Sequence, residues 1–547
     1  MKKYFKILII ILSSHSTLYA QNSPARFYFL QLKDKNNTEF SLASPAQFLS
    51  GKALARRVEM NIPVDSTDLP VNSLYINQIS STGAEVFAVT KWQNGVTVRL
   101  SDTASVLPML RNLNFISHIE YTGLDVIGSN ALISNKYSRM LSAETYDADY
   151  GGGLMPLEQL NGKPLHDRGF RGAGITIAVI DGGFTNVDAH IAFDSLRLGG
   201  RLLGTRDFAC LTNTVFARST HGAQVLSLMA SNVPDSLIGT APDANYWLLT
   251  SERIQGEYPV EVDLWISAAE FADSVGADII TTSLGYTVFN DSVLNYAYSD
   301  LNGQTIRASR AACQAAEKGI VVFNAAGNEG KSVWHYIGIP ADAQKIITVG
   351  AVNSDGVPAD FSSFGPTADG RVKPELCAMG YNVAVANCFT TDKFTRGSGT
   401  SFATPVLAGM TACLLQALKA NNIAYLPENV KNTLIESASD FLQSASQTGY
   451  GIPNFETAYS SFISAKNVET QQNDNFTIRN SENNILIKFE NANTKKNICV
   501  LNIAGQVLQT VSTSKNEISF NKTLFPQGIL LLKIENELFS AIKKVMN

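Results

Sequence analysis

Residues 174–184 read GITIAVIDGGF. After Gly174, six apolar or β-branched residues run to an aspartate, Asp181, and two glycines follow. A run of this kind suits a strand buried on both faces, and such strands belong to parallel sheets covered by helices. A carboxylate ending such a strand stands where open α/β sheets bind ligands. An aspartate before glycine also caps turns, so Asp181 alone leaves both readings open.

The same grammar recurs on the C-terminal side. Residues 246–250, 279–283, 320–324 and 346–352 are further short apolar runs, separated by helical patterns at 221–230, 263–275, 306–318 and 404–420. The alternation predicts an α/β domain over residues 150–465, with a parallel sheet flanked by helices.

The flanks read differently. Residues 21–121 follow the order strand (26–32), helix (47–58), strands (85–90 and 96–100), helix (104–113), strand (116–121), a small α+β unit. Residues 122–149 are small and polar without periodicity, as in an exposed, cleavable linker. Residues 466–475, KNVETQQNDN, read as a second linker. Residues 476–547 carry short strands at 485–489, 498–503, 507–511, 517–520 and 529–534, punctuated by turn residues such as Gly505 and Gly528. They predict a C-terminal β-sandwich.

A chain of 547 residues holds three or four units of ordinary size, and a 45% hydrophobic content supports a large core. The net charge of −5 is dispersed, with no basic stripe, so no nucleic-acid partner is expected. At the N-terminus, Lys2, Lys3 and Lys6, the apolar residues 7–12 and the small Ala20 predict a secretion signal over residues 1–20. No later stretch reads as a transmembrane helix, so the mature protein is expected to be secreted or held at the cell surface. The six cysteines lack CxxC spacing, which argues against zinc. Cys313 and Cys413 fall in helical patterns and read as buried thiols. Cys210 and Cys388 fall in loops and could pair.

Three more residues could do chemistry. His221, in STHGAQV, opens a helix behind a Ser219 or Thr220 cap. Ser401, in GSGTSFATP, enters a long apolar helix, whose N-terminal N–H groups favour a developing oxyanion. Asn328, in AAGNEG, displays an amide on a glycine loop after a strand. Each alone also fits a purely structural role.

Together the blocks are specific. AVIDGGF, STHGAQV, AAGNEG and GSGTSFATP, with ITTSLGY, FSSFGP and KPELCAMG, resemble in order the signature blocks of subtilisin-like serine proteases across residues 150–465. The resemblance implies Ser401 as nucleophile, His221 as general base and then acid, Asp181 orienting the imidazole, and Asn328 in the oxyanion hole. It implies that Ser283, Leu284 and Gly285 pair with an extended peptide substrate, and that Ala325 and Gly327 line the primary pocket. Phe402 stands where methionine is usual, and Ala223 where threonine is usual. The related sedolisins use Glu as base and Asp at the oxyanion position, so His221 and Asn328 argue against that branch. No cofactor is implied with certainty. Structural calcium is common in the family, and the stretch around Asp291 and Asp300 invites it without a recognisable ligand spacing.

Residues 21–121 resemble the inhibitory propeptides of these proteases, an intramolecular partner. The tail is similar to the C-terminal sorting domain of Bacteroidota type IX secretion, through ICVLNIAGQVLQT, LFPQGILLLKI and the terminal Lys543–Lys544 pair. That similarity implies outer-membrane secretion machinery as a further partner.

Overall fold

Thr176–Asp181 is a strand with every residue buried. It lies inside a seven-stranded, wholly parallel sheet in a computed structural model that describes residues 24–126, 149–210, 214–253, 256–470, 476–481, 483–489, 494–502, 506–526, 528–535 and 540–547. The expected signal and most of the expected processing linker lie outside these residues. The strand order is Leu376–Met379, Ile347–Val352, Val321–Ala325, Ile279–Thr282, Thr176–Asp181, Asn245–Thr250, Leu202–Asp207. The chain leaves Thr176–Asp181 for one edge, returns beside it, and continues on the other side. Asp181 therefore ends a strand at the topological switch point, where the carboxyl ends open a crevice.

Two strands of this sheet escape the sequence pattern. Leu202–Asp207 is an edge strand with one buried residue, so no apolar run marks it. Leu376–Met379 has only four residues. The helix expected at 404–420 begins earlier, at Thr400. Pro405 sits inside it and has no N–H to give to the Ser401 carbonyl. The Ser283 hydroxyl donates to that carbonyl instead, at 2.8 Å. Contrary to the sequence expectation, Thr400–Ala420 is long and apolar enough to cross a membrane, but 94% of its apolar window is buried, as in a core helix.

The N-terminal part is a four-stranded antiparallel sheet in the order Glu85–Thr90, Gly95–Leu100, Ala25–Leu32, Ile116–Asp125. The last strand runs past the expected boundary at 121 because Asp125 is held by Arg99 and Arg253. The helix expected at 47–58 starts at Gly51, where Ser50 caps it by accepting from the Ala53 N–H at 3.2 Å. A helix at Ser73–Ser81, capped by Asn72, was not expected.

This sheet packs on the helices Val260–Val275 and Arg307–Glu317 through buried polar contacts. Thr97 donates to Asp263 at 2.8 Å, and Arg307 joins Asp263 to Glu120 while lying 4.0 Å over the Phe29 ring. The Lys91 and Trp92 N–H groups both donate to the Glu270 carboxylate at 2.8 Å. Behind them, Asp273 meets Arg56 and Arg57, while Asp68 meets Arg57 and Lys318.

Residues 1–416 with 424–455, and 417–423 with 456–547, form two units by internal contacts. The second holds two antiparallel sheets: Phe476–Asn480, Asn484–Phe489, Glu517–Asn521, and Val507–Thr513, Lys496–Asn502, Ile529–Glu535, Ser540–Met546. Strict alternation in Ile529–Glu535 buries Leu530, Leu532 and Ile534 in one cluster with Ile485, Ile487 and Phe520. Residues 466–470, expected as linker, continue the helix Phe455–Thr470. Residues 471–475 lie outside the described set.

All six cysteines are free thiols. The pairing open to Cys210 and Cys388 is not formed: Cys210 is exposed, whereas Cys388 is buried and donates to the Ala386 carbonyl. Cys413 is buried as expected, and Cys313 only half-buried.

Candidate active site

Asp181 and His221 reach each other from a strand end and a helix start. Asp181 Oδ1 accepts the Gly182 N–H at 2.7 Å and lies 2.8 Å from His221 Nδ1. A carboxylate acceptor there places the proton on Nδ1 and leaves Nε2 as the basic nitrogen. Both side chains are buried. The helix His221–Ala230 starts here because Ser219 Oγ accepts the His221 N–H at 3.2 Å. Gly222 permits the approach: a Cβ at this position would stand 2.5 Å from the Gly183 carbonyl oxygen and 2.9 Å from Asp181 Cβ.

Ser401 is the second residue of its helix. Its Oγ makes a long contact, 3.4 Å, to the Ser283 carbonyl, while Ser283 Oγ donates back to Ser401. The next residue, Phe402, brings its ring centroid to 6.1 Å from that of His221, which sets the helix start beside the imidazole. Phe402 is fully buried and packs where any Cβ on Gly397 would strike its ring. It therefore backs the site and does not line the cleft.

Asn328 follows the strand Val321–Ala325. Its Oδ1 accepts from the Thr400 N–H at 2.9 Å and the Thr400 hydroxyl at 3.1 Å, and that hydroxyl accepts the Gly327 N–H at 3.2 Å. The amide is thereby oriented with its oxygen toward Thr400 and its NH₂ as the donor end. Sequence reasoning missed Thr400. Its position immediately before Ser401 was the available signal.

A cleft of about 360 Å³ reaches Ser401, Thr400 and Asn328. Ser283, Leu284, Gly285, Ala325, Gly327 and Asn328 all line it with Ser401. Asp181 and His221 are not among its lining residues. Five further lining residues were not anticipated: Glu257, Thr287, Val288, Glu329 and Gly338.

The stretch considered for calcium does not offer a cage. Asp291 accepts the Val293 N–H and Asp300 the Ala297 N–H, each closing a local turn. Among the described residues, Glu252, Glu257 and Glu261 bring carboxylate oxygens within 4.8 Å of one another. There Glu261 accepts from the Arg253 N–H and Glu252 from the Tyr286 hydroxyl.

Two family models match along the chain. Residues 172–456 match the subtilase family, and residues 27–137 match the peptidase S8 propeptide domain of Bacteroidota. Subtilisin NAT of Bacillus subtilis subsp. natto is 28% identical over 307 residues, spanning 55% of this chain and 70% of its own. Serine protease AprX of Bacillus subtilis (strain 168) is 30% identical over 307 residues, spanning 51% of this chain and 64% of its own. Among solved structures, the prenylagaramide maturation protease PagA is 25% identical with a TM-score of 0.42, covering 55% of this chain and 98% of that one. The chain belongs to the subtilase family and is a serine-type endopeptidase, with a propeptide domain ahead of its catalytic domain.

Proposed function

We propose that the protein is a secreted serine endopeptidase that works through an acyl-enzyme on Ser401. The observation that carries the residue roles is the buried 2.8 Å contact between Asp181 and His221 beside the helix start that bears Ser401. Ser401 Oγ attacks the scissile carbonyl as His221 Nε2 takes its proton. The tetrahedral oxyanion is held by the Ser401 N–H and the Asn328 NH₂. Asp181 keeps the imidazole in its working tautomer and stabilises the imidazolium. His221 then protonates the leaving amine, and a water molecule, deprotonated by His221, releases the acyl group. Ser283, Leu284 and Gly285 offer backbone groups to an extended peptide as an added strand, and Ala325 and Gly327 flank its side chain.

The life history follows from the flanking units. Residues 1–20 direct export, 21–121 act as the inhibitory propeptide, and 122–149 are cut during maturation. The peptidase spans 150–465, and 466–475 join it to the tail. The two tail sheets, sharing one apolar cluster, are read as a β-sandwich that serves type IX sorting to the medium or cell surface.

Labelling with a serine-directed fluorophosphonate tests the chemistry. Ser401 is expected to be the labelled residue, and Ser401→Ala to lose ~10⁶ in turnover. A folded protein that leaves Ser401 unlabelled overturns the assignment. Mass spectrometry of the culture medium and cell fractions tests export: deletion of residues 476–547 is expected to retain the protein inside the cell.

A further inference from the structure

The propeptide strand Ile116–Asp125 ends over a segment that borders the cleft. Gly123 lies on Tyr258: a Cβ on Gly123 would stand 2.5 Å from Tyr258 Cβ. Tyr258 directly follows Glu257, a cleft-lining residue. At the end of the strand, the Asp125 carboxylate is held by Arg99 from within the propeptide and by Arg253 from the catalytic domain, each at 2.5 Å. Arg253 comes just after the strand Asn245–Thr250, whose last residue pairs with Asp181. Its guanidinium lies 4.9 Å from the Phe27 ring centroid and 5.3 Å from that of Phe87, and donates to the Ala209 carbonyl at 3.1 Å. Three carboxylates, Glu252, Glu257 and Glu261, gather on the same segment, yet the guanidinium turns to Asp125 of the propeptide.

We infer that Arg253 of the mature enzyme recognises an aspartate or glutamate on the acyl side of the bond to be cut, in the place that Asp125 holds before maturation. This rests on the serine-protease reading above and adds a specificity-determining residue to it. Everything N-terminal to the maturation bond is on its acyl side, so Asp125 marks where an acyl-side carboxylate meets the catalytic domain. A substrate laid over Tyr258 as an extended chain, as the propeptide strand is, brings a side chain to the same guanidinium.

Removal of the propeptide changes what Arg253 touches. Asp125, Phe27 and Phe87 belong to the propeptide sheet and leave with it, while the Ala209 carbonyl stays. The backbone also stays fixed, because the Arg253 N–H donates to Glu261 at 2.7 Å. The mature site thus presents a guanidinium oriented by one carbonyl, with the donors that held a carboxylate turned outward. Such a group binds a carboxylate through charge-assisted hydrogen bonds, and its orientation before binding lowers the cost of ordering it. An asparagine of the same shape offers a neutral oxygen and gains less.

The test uses the purified mature enzyme and neutral peptides in which each residue before the cut is replaced in turn by aspartate or by asparagine. At one position the kcat/KM ratio is expected to favour aspartate by about tenfold. The preference should shrink as salt is added, because the unmasked guanidinium is open to solvent. Arg253→Gln is expected to bring the ratio at that position to about one, Arg253→Lys to keep part of it, and Arg253→Glu to favour lysine over aspartate there. Fluorophosphonate labelling counts the assembled sites in each variant, and the scan of the parent enzyme decides the matter even where a variant fails to mature. An active parent enzyme that shows no preference for aspartate at any position overturns the inference and leaves the protease reading standing. So does a preference that survives in Arg253→Gln. Failure of the parent enzyme to cut any peptide, with Ser401 unlabelled, overturns the protease reading itself.

Discussion

Asn328 Oδ1 accepts two hydrogen bonds from Thr400, one from its N–H and one from its hydroxyl. The residue before Ser401, the proposed nucleophile, thus aims the amide expected to face the oxyanion. Thr400→Val keeps the shape and the N–H bond but loses the hydroxyl, which also accepts from Gly327. Turnover is expected to fall about tenfold, the scale of one ordinary hydrogen bond, with KM little changed. Asn328→Ala removes the donor itself and is expected to cost ~10²–10³ in kcat. Steady-state kinetics on both variants checks the ordering. A Thr400→Val effect confined to KM would refute the aiming role.

The Asp181–His221 pair gives a second test. Asn at position 181 can present an NH₂ to His221 Nδ1, and the imidazole then keeps its proton on Nε2, the wrong nitrogen for a base. Asp181→Asn is expected to lower kcat ~10⁴-fold while circular dichroism and melting stay near wild type. Loss of activity accompanied by loss of fold would leave the tautomer argument without support.

How much of this was legible in the sequence depends on how local the cause is. Asp181 ends a strand, His221 opens a helix, Ser401 stands second in one and Asn328 lies three residues past a strand, and buried runs with their glycine punctuation mark such places. The strand Leu202–Asp207 was invisible because an edge strand needs no apolar run, and in Ser73–Ser81 only Ile79 is buried. Glu257 and Glu329 could not be assigned to one cleft, since 72 residues of chain separate them and only the fold brings them together. Likewise, nothing in the sequence of 51–59 tells that Arg56 and Arg57 are buried.

That burial carries a stability prediction. Asp273 is fully buried and shared between Arg56 and Arg57, which are themselves buried. Asp273→Ala leaves two desolvated guanidinium groups short of a partner and is expected to destabilise the uncleaved chain by about 3–5 kcal/mol. Lys331→Ala breaks a pair whose members are 70% and 76% exposed and is expected to change stability by at most about 1 kcal/mol. Thermal melting in a Ser401→Ala background, which prevents self-cleavage, compares them. Equal effects would mean that the buried cluster is not what holds the propeptide helix.

Glu270 makes the stability of the same uncleaved chain depend on pH. Burial pushes its carboxyl up from 4.5 to about 7, against the pull of the Lys91 ammonium, the Lys91 and Trp92 N–H groups and the Lys35 ammonium. Below about 4.5 the carboxyl is neutral whether the chain is folded or unfolded, and the favourable contribution is fully present. Between 4.5 and about 7 the unfolded chain has released the proton and the folded chain still holds it, so stability falls as pH rises. Above about 7 the contribution is lost, a total on the order of 3 kcal/mol. Glu270→Gln mimics the neutral form at every pH, with one oxygen still able to accept from Lys91 or Trp92. The difference in melting temperature between Glu270→Gln and the parent, both carrying Ser401→Ala, is therefore expected to grow in favour of the variant as pH rises from 4.5 to 7.5. Parallel pH profiles for the two proteins would show that the Glu270 carboxyl titrates normally beneath the propeptide.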